Sequence, residues 1–408
     1  MILRARIVVP MEGPPIENGA VLVEGSQIVA VGRAGEFDGG PVHDLGEVAL
    51  MPGLINAHCH LDYTMLRGAI LPQRSFAGWV KRINAIKRTM EPEDCLKSIA
   101  DGFEHCLNWG TTTVCTIASF PELMSRMPDP PIRTCWFYEM IDIRHRFTTE
   151  DVVAGALAFF QKRGASFARF GLSPHAPFTA SLDLYRLSND CARAFDMPLT
   201  THVAESDEEF EMFEAARGPL HDFLASLGRP MRDCGATTPF AHLWKAGAID
   251  SRWILAHMNR LGAGDFELLA GLAREHKPAI VHCPGTHRYF GREPFAWRRL
   301  RDLGVNLCTG TDSLASTDSL SLLSELRLLS GAEPTLSDEE LLRTVTTHPA
   351  RALRREAQLG KIAPGALADL IAVPVSGSVA HVHEEIVQYA GRIPWLMIDG
   401  TVKTSGIQ

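Results

Sequence analysis

Several features that would place a chain of 408 residues in a familiar class are missing here. No run approaches the roughly 20 consecutive apolar residues that a membrane helix needs. The opening MILRARIVVPMEG turns polar too quickly for a secretory signal, so a soluble, cytoplasmic protein is expected. Positive charge is not in excess. The chain has 40 Lys and Arg against 48 Asp and Glu, a net charge of -8 that disfavours nucleic acid as a partner and points to a small molecule. The nine cysteines are scattered, odd in number and without a CxxC pair, and reduced, mostly buried thiols are the simplest account. No HxE followed by PCxxC occurs, which excludes a zinc site of the cytidine-deaminase type. No heptad or obvious interface patch shows, so a homo-oligomer is possible but not specified.

What is present is enough apolar residue, 46% of the chain, to bury one large domain or a large domain with a small one. Residues 1–50 alternate in the manner of strands, as in ILRARIVVP and GAVLVEGSQIVAVG, with glycine-rich turns. The same texture returns in LADLIAVPVSG and WLMIDGTVKTSG. A small discontinuous β-sandwich domain, 1–50 plus 360–408, is therefore expected around a central domain, 51–359. In the centre eight short apolar runs recur: VALMPGLINAH, TTTVCTIAS, IRTCWFYEM, FARFGLSPH, MPLTTHVAE, RWILAHMN, AIVHCPG and VNLCTGTDS. Amphipathic stretches such as PEDCLKSIADGFEHCLNWG and EDVVAGALAFFQKRG separate them. Eight β/α units predict a (β/α)8 barrel, an α/β fold.

In such a barrel the active site lies at the C-terminal ends of the strands. Those ends carry His58 and His60, His175, His202 and Glu205, His257, His282 and Asp312. Of 16 histidines in the chain, six fall there. In HCH the two imidazoles project from the same face of a strand, so they can aim at one metal, although an isolated HxH also reads as a half-buried histidine pair. With His202 and the hard oxygen of Asp312, the donor set suits Zn2+, with Fe2+ or Mn2+ possible. A metal there would lower the pKa of bound water to about 7. Glu205 follows His202 by three residues and could shuttle a proton, and His257 could stabilise developing charge. The blander alternatives are a helix cap for Asp312 and a solvated carboxylate in ESDEEFE for Glu205.

The motifs PGLINAHCHLDYTMLRG, SPHAPFT, THVAES, LAHMNRL, VHCPGTH and TGTDS, in this order, resemble the amidohydrolase superfamily. The branch they resemble contains cytosine-, guanine- and adenosylhomocysteine-type deaminases and related chlorohydrolases. The likeness runs from about residue 1 to residue 400 and includes LGKIAPGALADLIAV. It implies a mononuclear site with His58, His60, His202 and Asp312 as ligands. Glu205, His257 and Asp312 would be the catalytic groups, and His175 a substrate contact. The implied reaction is hydrolytic deamination of an aminated heterocycle such as a purine, pterin or nucleoside derivative. Its alternative is cleavage of a ring amide or aryl chloride in the same site. FARFGLSPH has no lysine, so no carboxylated-lysine bridge is implied.

Three departures bear on substrate. Where members acting on adenosine thioethers are expected to place a ribose-binding acid beyond SFxxW, SFAGWVKRINAIKRTM offers Lys81, Arg82, Lys87 and Arg88. HLDYT is similar to the HLEFS-type segment of aminodeoxyfutalosine deaminases. Strand seven ends in HCPGTHRYF rather than a Ser-Asn pair, which makes His287 and Arg288 candidates for reading a substrate edge. The alternative for all these basic residues is a solvated helix or loop face.

Overall fold

The computed structural model describes residues 1–37, 39–73, 75–127, 129–143, 148–162 and 168–406. The end of EDVVAGALAFFQKRG and the first residue of FARFGLSPH lie outside the described residues. The chain opens with β1 (Ile2–Val8), β2 (Ile16–Glu24), β3 (Gln27–Arg33), β4 (Val42–Asp44) and β5 (Val48–Pro52). The barrel strands follow: β6 (Leu54–Cys59), β7 (Thr111–Ala118), β8 (Arg133–Met140), β9 (Ala168–Pro174), β10 (Leu199–Val203), β11 (Trp253–His257), β12 (Ala279–His282) and β13 (Leu307–Thr309). The chain then returns through β14 (Leu370–Pro374), β15 (Trp395–Ile398) and β16 (Thr401–Ser405).

Strands β6 to β13 pair in sequence order, all parallel, with helices between them. All residues of β6, β7 and β10 to β13 are buried, as expected when helices cover one face and the barrel interior the other. Ile55, Cys115, Phe137, Ile254, Val281 and Cys308, from six strands, form one apolar cluster, the packed interior of a closed barrel. The ring closes between its first and last strands. The amides of Thr311 and Asp312 each donate to the His58 carbonyl at 3.1 Å. Gly310 makes that seam possible, because a Cβ there would stand 2.7 Å from the His58 carbonyl oxygen.

The two chain ends meet in a second, mixed sheet of order β16-β15-β14-β5-β1-β2-β3, with β4 on β1. The antiparallel pairing of β14 with β5, Ile371 opposite Met51, joins C-terminal to N-terminal sequence. This is the β unit expected from the two ends, realised as one sheet that branches at β1. It closes over its own core of Leu3, Val21, Leu50, Leu370, Trp395 and Met397. Arg133, at the start of β8 and away from the strand ends that carry the site, ties barrel to sheet through Asp369 (2.9 Å) and Asp399 (3.2 Å). No described helix is long and apolar enough to cross a membrane.

Candidate functional site

The strand ends bring five of the six expected histidines around one point. His60 Nε2 and His202 Nε2 are 3.2 Å apart, and His58 Nε2 and His60 Nε2 each lie 3.8 Å from Asp312 Oδ1. The ring of His257 is 5.4 Å from that of His58. Donor atoms of His58, His60 and His202 lie within 4.8 Å of one another, as do those of His58, His257 and Asp312. The backbone is bent to achieve this. Asp312 (φ 55°), His257 (φ 75°) and Ala204 (φ 53°) are all left-handed, a conformation that costs energy in residues other than glycine and that collects at functional sites.

The residues fit a metal by their chemistry. His58 Nε2 is buried with no hydrogen-bond partner, an expensive arrangement unless a cation takes the lone pair. His202 Nδ1 faces the His175 carbonyl oxygen at 2.8 Å, so it carries the hydrogen and leaves Nε2 free as a ligand. His60 Nδ1 lies 3.3 Å from the Ser119 hydroxyl. Burial is the leading cause that lowers the pKa of each ring, with neighbouring imidazoles adding to it at His58 and His60; His202 falls to about 4. Neutral imidazoles and one carboxylate oxygen make a set suited to zinc and neighbouring divalent metals.

Beside this cluster Glu205 Oε2 lies 3.9 Å from His257 Nε2. Burial pushes the Glu205 carboxyl well above its usual range, against the opposing charge of Arg292. A carboxyl raised in this way can keep a proton taken from water and pass it on. Both groups line a cavity of about 280 Å3 with His60, His175, His202 and Asp312 on its floor. His175 is lowered to about 3, first by burial, and its Nδ1 is held by Thr179 Oγ1 at 2.7 Å.

His282, His287 and Arg288 are placed differently. His282 stacks on Phe295 at 4.1 Å and does not line the cavity. His287 Nδ1 contacts Asn259 Oδ1 at 3.1 Å and its Nε2 faces the Glu293 carbonyl oxygen at 2.9 Å. Asn259 in turn donates to the Glu205 carbonyl, so His287 props the turn that carries Glu205 from behind. Arg288 is exposed on the surface. The cavity wall comes instead from the helix Phe76–Lys87, through Phe76, Trp79, Val80, Ile83, Asn84 and Lys87. That i, i+3, i+4, i+7, i+8, i+11 spacing is one helical face and was the signal in the sequence. Leu220, Phe223 and Leu224 of the helix Pro219–Ser226, Glu139 of β8 and Arg229 add to the lining.

Comparison with known proteins agrees with this geometry. The amidohydrolase family matches residues 49–402. A 5-methylthioadenosine/S-adenosylhomocysteine deaminase of Pyrococcus furiosus is 27% identical over 382 residues, 91% of this chain and 85% of the relative. An aminodeoxyfutalosine deaminase of Deinococcus radiodurans is 29% identical over 343 residues, 80% of this chain and 79% of the relative. The crystal structure of an adenosine deaminase from Xanthomonas campestris with bound zinc superposes with a TM-score of 0.84 at 26% identity, covering 99% of this chain and 93% of that one. On the strength of the match across the barrel, the chain belongs to the amidohydrolase family.

Proposed function

We propose that this protein is a zinc-dependent hydrolytic deaminase that releases ammonia from an aminated heterocycle, with adenosine-like nucleosides as the leading substrate class. The observation that carries the reading is the pairing of Glu205 and His257 beside the cluster of His58, His60, His202 and Asp312, the last three of which line the same cavity. A divalent cation held by those four residues would supply an activated water at neutral pH.

The chain's own groups then account for the protons. Glu205 takes one proton from the attacking water and delivers it to the ring nitrogen next to the amino-bearing carbon. The second proton reaches the amino group, the carbon–nitrogen bond breaks, and ammonia leaves behind a ring carbonyl. Positioned acid-base groups of this kind contribute about 10²- to 10⁴-fold in rate. His257 donates toward the oxygen added at carbon, where charge develops. His175, fixed by Thr179, orients the ring within reach of these groups.

The nine cysteines are all unpaired and seven are buried, which supports a reducing, cytoplasmic setting. The test is ammonia release by zinc-loaded protein from adenosine-, guanine-, cytosine- and pterin-type amines. Release from at least one supports the reading. Silence across the panel, with about one metal per chain, would instead favour amide or aryl-halide hydrolysis in the same site.

A further inference from the structure

The N-terminal end of the barrel, opposite the metal-type cluster, holds a second cavity of about 370 Å3. The starts of β7, β8 and β9 supply Thr113, Arg133 and Arg169 to it. The end of the helix Leu182–Phe195 supplies Phe195, and the turn that follows the helix Thr347–Ala352 supplies Leu353 and Arg355. Three arginines thus share a cavity that takes no part in the chemistry at the other end of the strands.

Two of the three are committed. Arg133 pairs with Asp369 and Asp399. Arg169 donates to the carbonyls of Leu353 and Asp196 and shares the exposed Asp196 carboxylate with Arg354. Arg355 is different. Among the described residues its guanidinium has no hydrogen-bond or ion-pair partner, and its Nε is buried in that state. Burial lowers its pKa, and the charges of Arg169 and then Arg133 lower it further, ahead of the opposing pull of Asp196. Glu356, next in sequence, is exposed and lines a separate cavity with Arg351 and Lys361.

Four arginines therefore stand against three aspartates, and one positive charge is left without a carboxylate. A half-buried guanidinium without partners, beside two like charges, costs the protein stability. Residues kept at such a cost are those that function requires.

The rest of the cavity is apolar. Phe195 is 59% exposed and shares the lining with Leu353 and Leu359. A single exposed phenylalanine is ordinary, but here it lies in the same cavity as the unpaired guanidinium. The planar fork of an arginine matches a carboxylate, and a single surplus charge balances a monoanion.

We infer that this cavity is a second binding site, for a small organic acid that presents one carboxylate on an apolar, ring-sized body. Arg355 binds the carboxylate and Phe195 covers the body. The inference is independent of the deaminase reading.

The test is a fluorine NMR titration of zinc-loaded protein with para-fluorobenzoate and its uncharged analogue para-fluorobenzamide, with inorganic phosphate as competitor. Wild type is compared with Arg355→Gln, Arg355→Lys and Phe195→Ala. The wild type should prefer the acid over the amide by about 10-fold or more. That preference should vanish in Arg355→Gln and survive in part in Arg355→Lys, while Phe195→Ala weakens acid and amide alike. Because the Arg355 side chain bonds to no described residue, Arg355→Gln should melt no lower than wild type. Equal binding of acid and amide, no binding of either, or a clear loss of melting temperature in Arg355→Gln would overturn the site. A preference that persists in Arg355→Gln would place the carboxylate elsewhere, on the zinc above all. Phosphate that displaces the acid at equal concentration, or a Phe195→Ala protein that binds as wild type does, would overturn the apolar half of the assignment.

Discussion

Glu209 holds the backbone of Glu205. Its fully buried carboxylate accepts the amide hydrogens of Ala204 at 3.0 Å and Glu205 at 2.7 Å. Ala204 is left-handed, so these two bonds clamp a turn that would otherwise relax and carry the Glu205 side chain away from His257. Glu209→Gln sets an amide N–H against one of the two backbone donors. Stability should fall by about 1–3 kcal/mol. Turnover should fall at least 10-fold, at the order of magnitude expected for loss of a positioned acid. Adding Glu209→Gln to Glu205→Gln should cost no further turnover, because the first acts through the second. Additive losses in that double-mutant cycle would contradict the clamp.

Glu208 anchors the cavity wall. Its two oxygens accept the amides of Phe76 and Ala77, each at 2.9 Å, which are unpaired donors of the first turn of that helix. In Glu208→Ala the helix loses both bonds and the aromatic wall loosens. KM should rise several-fold while kcat changes less, and steady-state kinetics on the substrate found by the ammonia screen would show the split. A fall in kcat at constant KM would speak against it.

The four proposed ligands should act as a unit. His58→Ala or Asp312→Ala is expected to lose bound zinc and turnover together, as measured by metal analysis of dialysed protein. Retention of stoichiometric zinc by either variant would remove that residue from the ligand set.

Away from the chemistry, Glu325 is buried with Oε2 accepting the Gly285 amide at 2.6 Å, and burial raises its pKa to about 8 from 4.5. The folded protein therefore holds this proton more tightly than the unfolded chain. Its contribution to stability is full below about pH 4.5 and is lost as the pH rises through about 8. Glu325→Gln keeps an acceptor for Gly285 and removes the titration. The melting temperature of the variant relative to wild type should climb between about pH 5 and 8. A constant difference across that range would mean that Glu325 titrates normally.

Much of this was legible in the sequence. The eight barrel strands were visible because strands buried on both faces read as continuous apolar runs, and the metal-type cluster was visible because strand ends are where a barrel collects its reactive groups. The walls were not. His287 and Arg288 sit in the right loop, yet the helix Pro284–Tyr289 turns one toward Asn259 and the other to solvent, a choice made by tertiary packing. Lys87 was one of four basic residues in a segment, and its position became distinct only when the helical face was set against Tyr63 and Phe120. In ESDEEFE the spacing from His202 singled out Glu205, while Glu208 and Glu209 read as part of a solvated run. The fold gives Glu205, Glu208 and Glu209 three separate places: at the cavity floor, at the start of a helix and beneath a strained turn.

The central claim is that Glu205 moves protons for a metal-dependent deamination. The measurement that tests it most directly is ammonia release by zinc-loaded wild type and Glu205→Gln, with the zinc content of both determined. The account predicts equal zinc in the two proteins and a turnover lower by about 10²- to 10⁴-fold in the variant. Turnover in Glu205→Gln near that of wild type, at equal zinc, would contradict it.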